Sequence, residues 1–187
     1  MTWIQTAYRN KVDLLNPDPA SIDVRDIAHA LARIGRYNSH TREHYSVAEH
    51  SCHVSDYLLR TEPVPVARDL ALAGLMHDTP EAYLGDTTAP MQLALGAAFK
   101  LTLTDAHRRM WRAIAIRYKL LHIDIEHARV KDVDRRICLD ECAAMLGGPV
   151  EPWAPVHAGP LDIKIHGWIP QRAELEWTQR MVALTSK

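Results

Sequence analysis

Leu70-Ala71-Leu72-Ala73-Gly74-Leu75-Met76-His77-Asp78 is an apolar run that ends on an imidazole and a carboxylate. At helical spacing Leu70, Ala73, Gly74 and His77 fall on one stripe, so the histidine shares the face that packs inward. Asp78 then closes the helix at its carboxyl end. A carboxylate there opposes the helix dipole unless something cationic compensates, and a bound metal ion would do so. An adjacent His-Asp pair is common by chance, so the weight of the reading depends on what the flanking helices bring to it.

Upstream, Ser46-Val47-Ala48-Glu49 has the form of a capping box, with Ser46 accepting from the first-turn amides and Glu49 reaching back. The helix it starts carries Val47, His50, Val54, Tyr57 and Leu58 on one stripe, which buries His50. Downstream, Val130, Val133, Ile137 and Met145 form an apolar seam. Asp134 lies on its inner side, four residues after Val130 and three before Ile137, whereas Asp132 aligns with Arg136 on the polar side. Taken singly, His50 reads as a satisfied core histidine and Asp134 as half of an internal ion pair. Together, His50, His77, Asp78 and Asp134 give two imidazoles and two carboxylates from three segments. That donor set suits a divalent first-row metal and leaves positions for water and a substrate oxygen.

The pattern resembles the HD superfamily of metal-dependent phosphohydrolases, all-α proteins named for the His-Asp doublet. Within it, Tyr45-Ser46-Val47-Ala48-Glu49-His50-Ser51 and the stretch from His77-Asp78-Thr79-Pro80-Glu81 to Gly85-Asp86 are similar to bacterial 5′-deoxynucleotidases and phage dATP triphosphohydrolases. The likeness runs from about residue 3 to residue 141. It implies an HD-domain helical bundle with a central metal site, the motif-bearing part covering about 3–146 of a single 1–187 domain and a carboxyl-terminal loop and helix covering 147–187. It makes His50, His77, Asp78 and Asp134 the ligands of one divalent ion, with Co, Mn, Zn and Fe all compatible. Glu81 corresponds to the acid/base residue, Asp86 to a position near the sugar, and Arg36-Tyr37 to the Arg-aromatic pair that holds phosphate and nucleoside. A homodimer is also implied.

Each of these carries a plainer reading. Glu81 is favourable in the first turn after Pro80 for helix reasons alone, Asp86 can cap the Thr87-Thr88-Ala89-Pro90 segment, and Arg36 can be a solvated arginine after Gly35. A planar guanidinium suits phosphate oxygens and an aromatic ring offers a base a stacking face. One departure stands out: many relatives have a Pro-x-Lys where this chain has Pro90-Met91-Gln92. Lys100, Lys131, Arg9 and Lys11 are candidate replacements for that charge, and His40 and His44 are read as loop residues.

The implied activity is hydrolysis of nucleotide phosphate esters, dNMP or dNTP. The rivals are a cyclic-nucleotide or second-messenger phosphodiesterase, for which His107, His122 and His127 are candidate second-metal ligands, and a non-catalytic regulatory module. With 22 basic and 23 acidic side chains in 187 residues, the chain has no electrostatic footprint for extended nucleic acid, so a small nucleotide is the expected partner. Cys52, Cys138 and Cys142 lack CxxC spacing and read as reduced thiols. No basic leader precedes an apolar core and no run of about eighteen apolar residues occurs, which predicts a cytoplasmic protein without a membrane partner.

The remaining segments read as helices. Ser21 is the expected cap of a helix over 23–34 with Ile27, Ala28, Leu31 and Ala32 inside. Further helices are predicted over 92–100, 104–120 and 126–146, the last ending at Gly147-Gly148-Pro149. Pro152, Pro155 and Pro160 predict a long loop, and Pro170 opens a terminal helix containing Leu175, Met181 and Val182. Residues 161–168 are the single suspected strand. Trp3 and Ile4 read as a segment docked on the core, with contact to a nucleobase as the alternative.

Overall fold

The computed structural model describes residues 1–153 and 158–186 and is mostly helical, in keeping with the all-α expectation. Helix α1 spans Val24–Leu31, α2 Val47–Thr61, α3 Ala67–Met76, α4 the single turn Glu81–Leu84, α5 Ala89–Tyr118, α6 Ala128–Glu141 and α7 Pro170–Thr185. Helices α2 and α3 form the most extensive pair, with α6 and α7 packed against both. Gly74 sets their separation: a Cβ there would stand 2.8 Å from Leu58 Cδ1 and 3.0 Å from Val54 Cγ1. A side chain there would have to displace those two side-chain ends, and the close approach of the helices leaves His50 Nε2 3.3 Å from His77 Nε2 at the end of α3.

Several boundaries differ from the sequence reading. Asp23, not Ser21, caps α1, its side chain accepting from the Arg25 amide. Ser46 caps α2 as expected, accepting from the Glu49 N–H at 3.1 Å. Glu49 does not reach back to close the box. Its carboxylate instead accepts the main-chain N–H groups of His166, Gly167 and Trp168 at 2.9, 2.9 and 2.5 Å. Asp140 likewise accepts from Leu161 and Ile163. Residues 161–168 therefore form no strand, because buried or half-buried carboxylates satisfy the amide donors that a ladder would otherwise take up.

The two helices predicted over 92–100 and 104–120 are one element, α5, interrupted at Gly96, whose φ of 86° breaks the helical backbone. Helix α6 starts two residues later than expected, capped by His127, and passes through a π turn at Cys142–Leu146 before left-handed Gly147 stops it. Helix α7 buries Ala173, Trp177, Met181 and Leu184, while Leu175 and Val182 face outward. The Trp177 indole donates to the Leu75 carbonyl at 3.2 Å, tying α7 to the helix that ends in His77.

At the amino terminus a short antiparallel pair, β1 Trp3–Gln5 and β2 Lys11–Asp13, was not foreseen, since three residues are too few to show alternation. Ile4 packs on the core and Trp3 lies under the Lys11 ammonium, so this segment docks on the fold. Cys52, Cys138 and Cys142 are free thiols. Of the loop prolines, Pro152 and Pro160 lie outside any helix or strand and Pro155 falls outside the described residues. Among the described residues no helix is long and apolar enough to cross a membrane.

Candidate metal centre

Three helices deliver the tight group. His50 from the second turn of α2, His77 at the carboxyl cap of α3 and Asp134 in the middle of α6 each offer a donor atom within 4.8 Å of the other two. His50 Nε2 lies 3.3 Å from His77 Nε2 and 3.1 Å from Asp134 Oδ1. Asp78 stands beside them, with Oδ2 3.1 Å from His77 Nε2 and 3.6 Å from His50 Nε2. Donors about 2.0–2.2 Å from a common ion are about 2.8–3.6 Å apart, so most of these spacings match ligands around one centre.

The outer nitrogens decide which atoms face inward. His77 Nδ1 donates to the Gly74 carbonyl at 2.7 Å, a bond available because His77 follows Gly74 by one helical turn. His50 Nδ1 donates to Glu141 Oε1 at 2.6 Å. With both Nδ1 atoms committed as donors, the neutral form of each ring would present its Nε2 lone pair toward the same point. Carbonyl and carboxylate partners of this kind are how metal-ligating histidines are oriented. The donor set fits a divalent ion, and it does not fit a plain hydrophobic core.

The charged forms of these groups support one another. Burial opposes ionisation of His77, but the Asp78 carboxylate raises its imidazole well above the ordinary range. Burial likewise opposes charge on Asp134, and hydrogen bonds from His50 and His77 hold its carboxyl well below it.

Glu81 and Asp86 line the same cavity, about 720 Å³ in volume, together with Arg36, Tyr37, Asp78 and Asp134. Burial, reinforced by the charges of Asp78 and Asp86, raises the Glu81 carboxyl well above its ordinary range, and its Oε2 has no hydrogen-bond partner among the described residues. Burial also raises Asp86, against the opposing charge of Arg36. Gly85, with a φ of 80°, ends α4 between these two acids.

Arg36 and Tyr37 sit on a turn closed at its base by bridging between Gly35 and Ser46, the residue that caps α2. Tyr37, Asn38 and Ser39 all have left-handed backbone, with φ of 56°, 51° and 60°. Each such non-glycine residue costs about 1–2 kcal/mol, so the turn persists only because its surroundings hold it. Arg36 reaches Glu141 Oε2 at 3.2 Å and lies 3.8 Å from Asp78, and the Tyr37 hydroxyl donates to Glu141 at 2.5 Å.

Two groups of residues correct the sequence reading. Lys100, Lys131, Arg9 and Lys11 do not line the cavity; the cations that do are Arg36 and Arg135, with His40 also in the wall. Gln92 donates to the Thr87 carbonyl at 2.8 Å and faces a smaller cavity of about 280 Å³ behind His77. His44 docks on the Ala32 carbonyl instead of the cavity. His107 shares the smaller cavity, and His122 and His127 lie in a separate groove, so the three assemble no second ligand set among the described residues.

Glu141, Arg135 and Trp153 were missed. Glu141 lies seven residues after Asp134, two turns along the same face, so helical spacing alone could have flagged it. Trp153 joins Tyr37 in the cavity wall, ring centroids 6.0 Å apart, from a loop that carries no periodic signal.

No family model matches the chain. It is 38% identical over 120 residues, 63% of its length, to an uncharacterized protein of Rhodobacter capsulatus. It is 37% identical over 83 residues, 44% of its length, to the uncharacterized protein YfdR of Escherichia coli. The matched segments span 59% and 41% of those two relatives.

Proposed function

We propose that the chain is a metal-dependent hydrolase of nucleotide phosphate esters, built as an HD-type helical bundle and acting on nucleoside 5′-phosphates. The observation that carries this reading is the convergence of His50 Nε2, His77 Nε2 and carboxylates of Asp78 and Asp134 beside a nucleotide-sized cavity. Bound to those residues, a divalent cation would act as a Lewis acid and make water a nucleophile near neutral pH.

The protein's own groups divide the remaining work. Arg36, half-buried beside Asp78, is placed to neutralise phosphoryl oxygens as charge builds on them. Glu81, whose carboxyl burial raises above its ordinary range, is placed to deliver a proton to the leaving oxygen and to regain the one that the attacking water gives up. Tyr37 and Trp153 offer ring faces to the base. The lining has two guanidinium groups, and Arg36 already faces Glu141 and Asp78. A monophosphate, with less charge to neutralise than a triphosphate, suits this lining better. Assembly as a dimer belongs to the same reading.

The test is a panel of deoxy- and ribonucleoside monophosphates, triphosphates and cyclic nucleotides incubated with Co²⁺, Mn²⁺, Zn²⁺ or Mg²⁺, with orthophosphate and triphosphate release scored separately. Orthophosphate release from monophosphates is the expected outcome. No turnover of any member at protein concentrations near the substrate's would replace the enzyme with a binding module.

A further inference from the structure

Glu141 is fully buried and sits where two parts of the site meet. Its Oε1 accepts from His50 Nδ1 at 2.6 Å and from the Tyr45 hydroxyl at 2.7 Å. Its Oε2 accepts from the Tyr37 hydroxyl at 2.5 Å and from the Arg36 guanidinium at 3.2 Å. One carboxylate can accept about four hydrogen bonds, and all four positions are filled. One oxygen thus serves the helix that carries the metal ligand, and the other serves the left-handed turn that lines the substrate cavity.

This arrangement exceeds what stability requires. An imidazole buried on α2 is satisfied by any acceptor, and a strained turn is held by any partner deep in the fold. Sharing one rigid group means that neither can move independently. If the turn shifts, Oε2 shifts with it, the carboxylate rotates, and the hydrogen bond that fixes the His50 ring and its tautomer lengthens.

We propose that Glu141 is a positioning residue that couples the dication site to the Arg36–Tyr37 turn, orienting His50 through one oxygen and the turn through the other. The inference rests on the proposed metal site but reaches beyond it: a change on the substrate side that touches no ligand should alter dication affinity, and Glu141 should carry the effect.

The probe is Co²⁺ alone, titrated into metal-free protein by calorimetry and by the visible absorption of the bound ion, with thermal unfolding of the metal-free form as the control for folding. Glu141→Gln is expected to weaken Co²⁺ binding by about 10–100-fold, the usual effect of losing a partner of a metal-ligating histidine, and to alter the absorption band. Tyr37→Phe, which removes only a hydroxyl remote from the ion, is expected to weaken binding by about threefold. The double variant is expected to bind no more weakly than Glu141→Gln alone, because the two act through one group. Tyr37→Phe and the thermal control keep the test decisive if Glu141→Gln folds poorly. Co²⁺ affinity within about twofold of wild type in Glu141→Gln and Tyr37→Phe would overturn the coupling, as would strictly multiplicative losses in the double variant. Failure of the wild type to bind Co²⁺ is a different result, because it removes the metal site itself.

Discussion

The two walls of the cavity are built by opposite means. On one, Asp134 lines the cavity with His50 and His77 beside it, and the three project from packed helices, the two imidazoles fixed by carboxylate and backbone partners. On the other, Arg36, Tyr37 and Trp153 come from a left-handed turn and a loop and are held by side-chain contacts to Glu141 and to one another. Helices place ligands to within the tolerance a metal needs, whereas a loop can change with the substrate and leave the chemistry intact. The difference implies that substitutions on the first wall remove function and those on the second tune it.

The largest effects should come from the first wall. Asp78→Ala and Asp134→Ala are expected to lose both bound metal and turnover, measured by metal content after dialysis and by phosphate release. Glu81→Gln separates the ion from the proton: turnover should fall about 10²–10⁴-fold while Co²⁺ binding persists. Normal hydrolysis by this variant would remove Glu81 from the mechanism.

Next come the supports behind that wall. Trp177→Ala leaves a cavity behind α3 and strips the Leu75 carbonyl of its donor, so chemical denaturation should register a loss of about 3–5 kcal/mol. Glu141 also has a signature in acid. Burial raises its carboxyl, but Arg36 and His50 outweigh this and lower it from 4.5 to about 2. A depressed carboxyl contributes stability that is present above pH 4.5 and is lost as pH falls toward 2, about 3 kcal/mol in all. The metal-free wild type should show that acid limb, and Glu141→Gln should show a shallower one between the same limits. Equal slopes would mean that the carboxylate is not ionised in the fold.

The smallest effect belongs to the second wall. Trp153→Ala is expected to raise KM for a nucleoside monophosphate about tenfold, the loss of one stacking face, while kcat and thermal stability stay near wild type. A fall in kcat with unchanged KM would place the ring somewhere other than against the base.

The same contrast explains what the chain revealed before folding. His50, His77 and Asp134 were legible because a polar residue on an apolar stripe stands out against helical periodicity. Glu141 obeyed that periodicity too, two turns beyond Asp134, and could have been chosen over Asp140 on that ground. The turn at Tyr37-Asn38-Ser39 was illegible for a physical reason: left-handed backbone is signalled by glycine, and none is present there. Trp153 and Arg135 become cavity residues only once a loop and α6 are brought to the same rim. Glu49 shows the limit of local rules most clearly, since a capping-box glutamate was taken up by three amides more than a hundred residues away.

The most direct test is the stoichiometry of Co²⁺ binding to metal-free protein, followed by calorimetry and visible absorption, for the wild type and for His50→Ala, His77→Ala and Asp134→Ala. One ion per wild-type chain, with an absorption band lost in each folded variant, is the expected result. No saturable binding to the wild type, or binding that survives all three substitutions, would contradict the account.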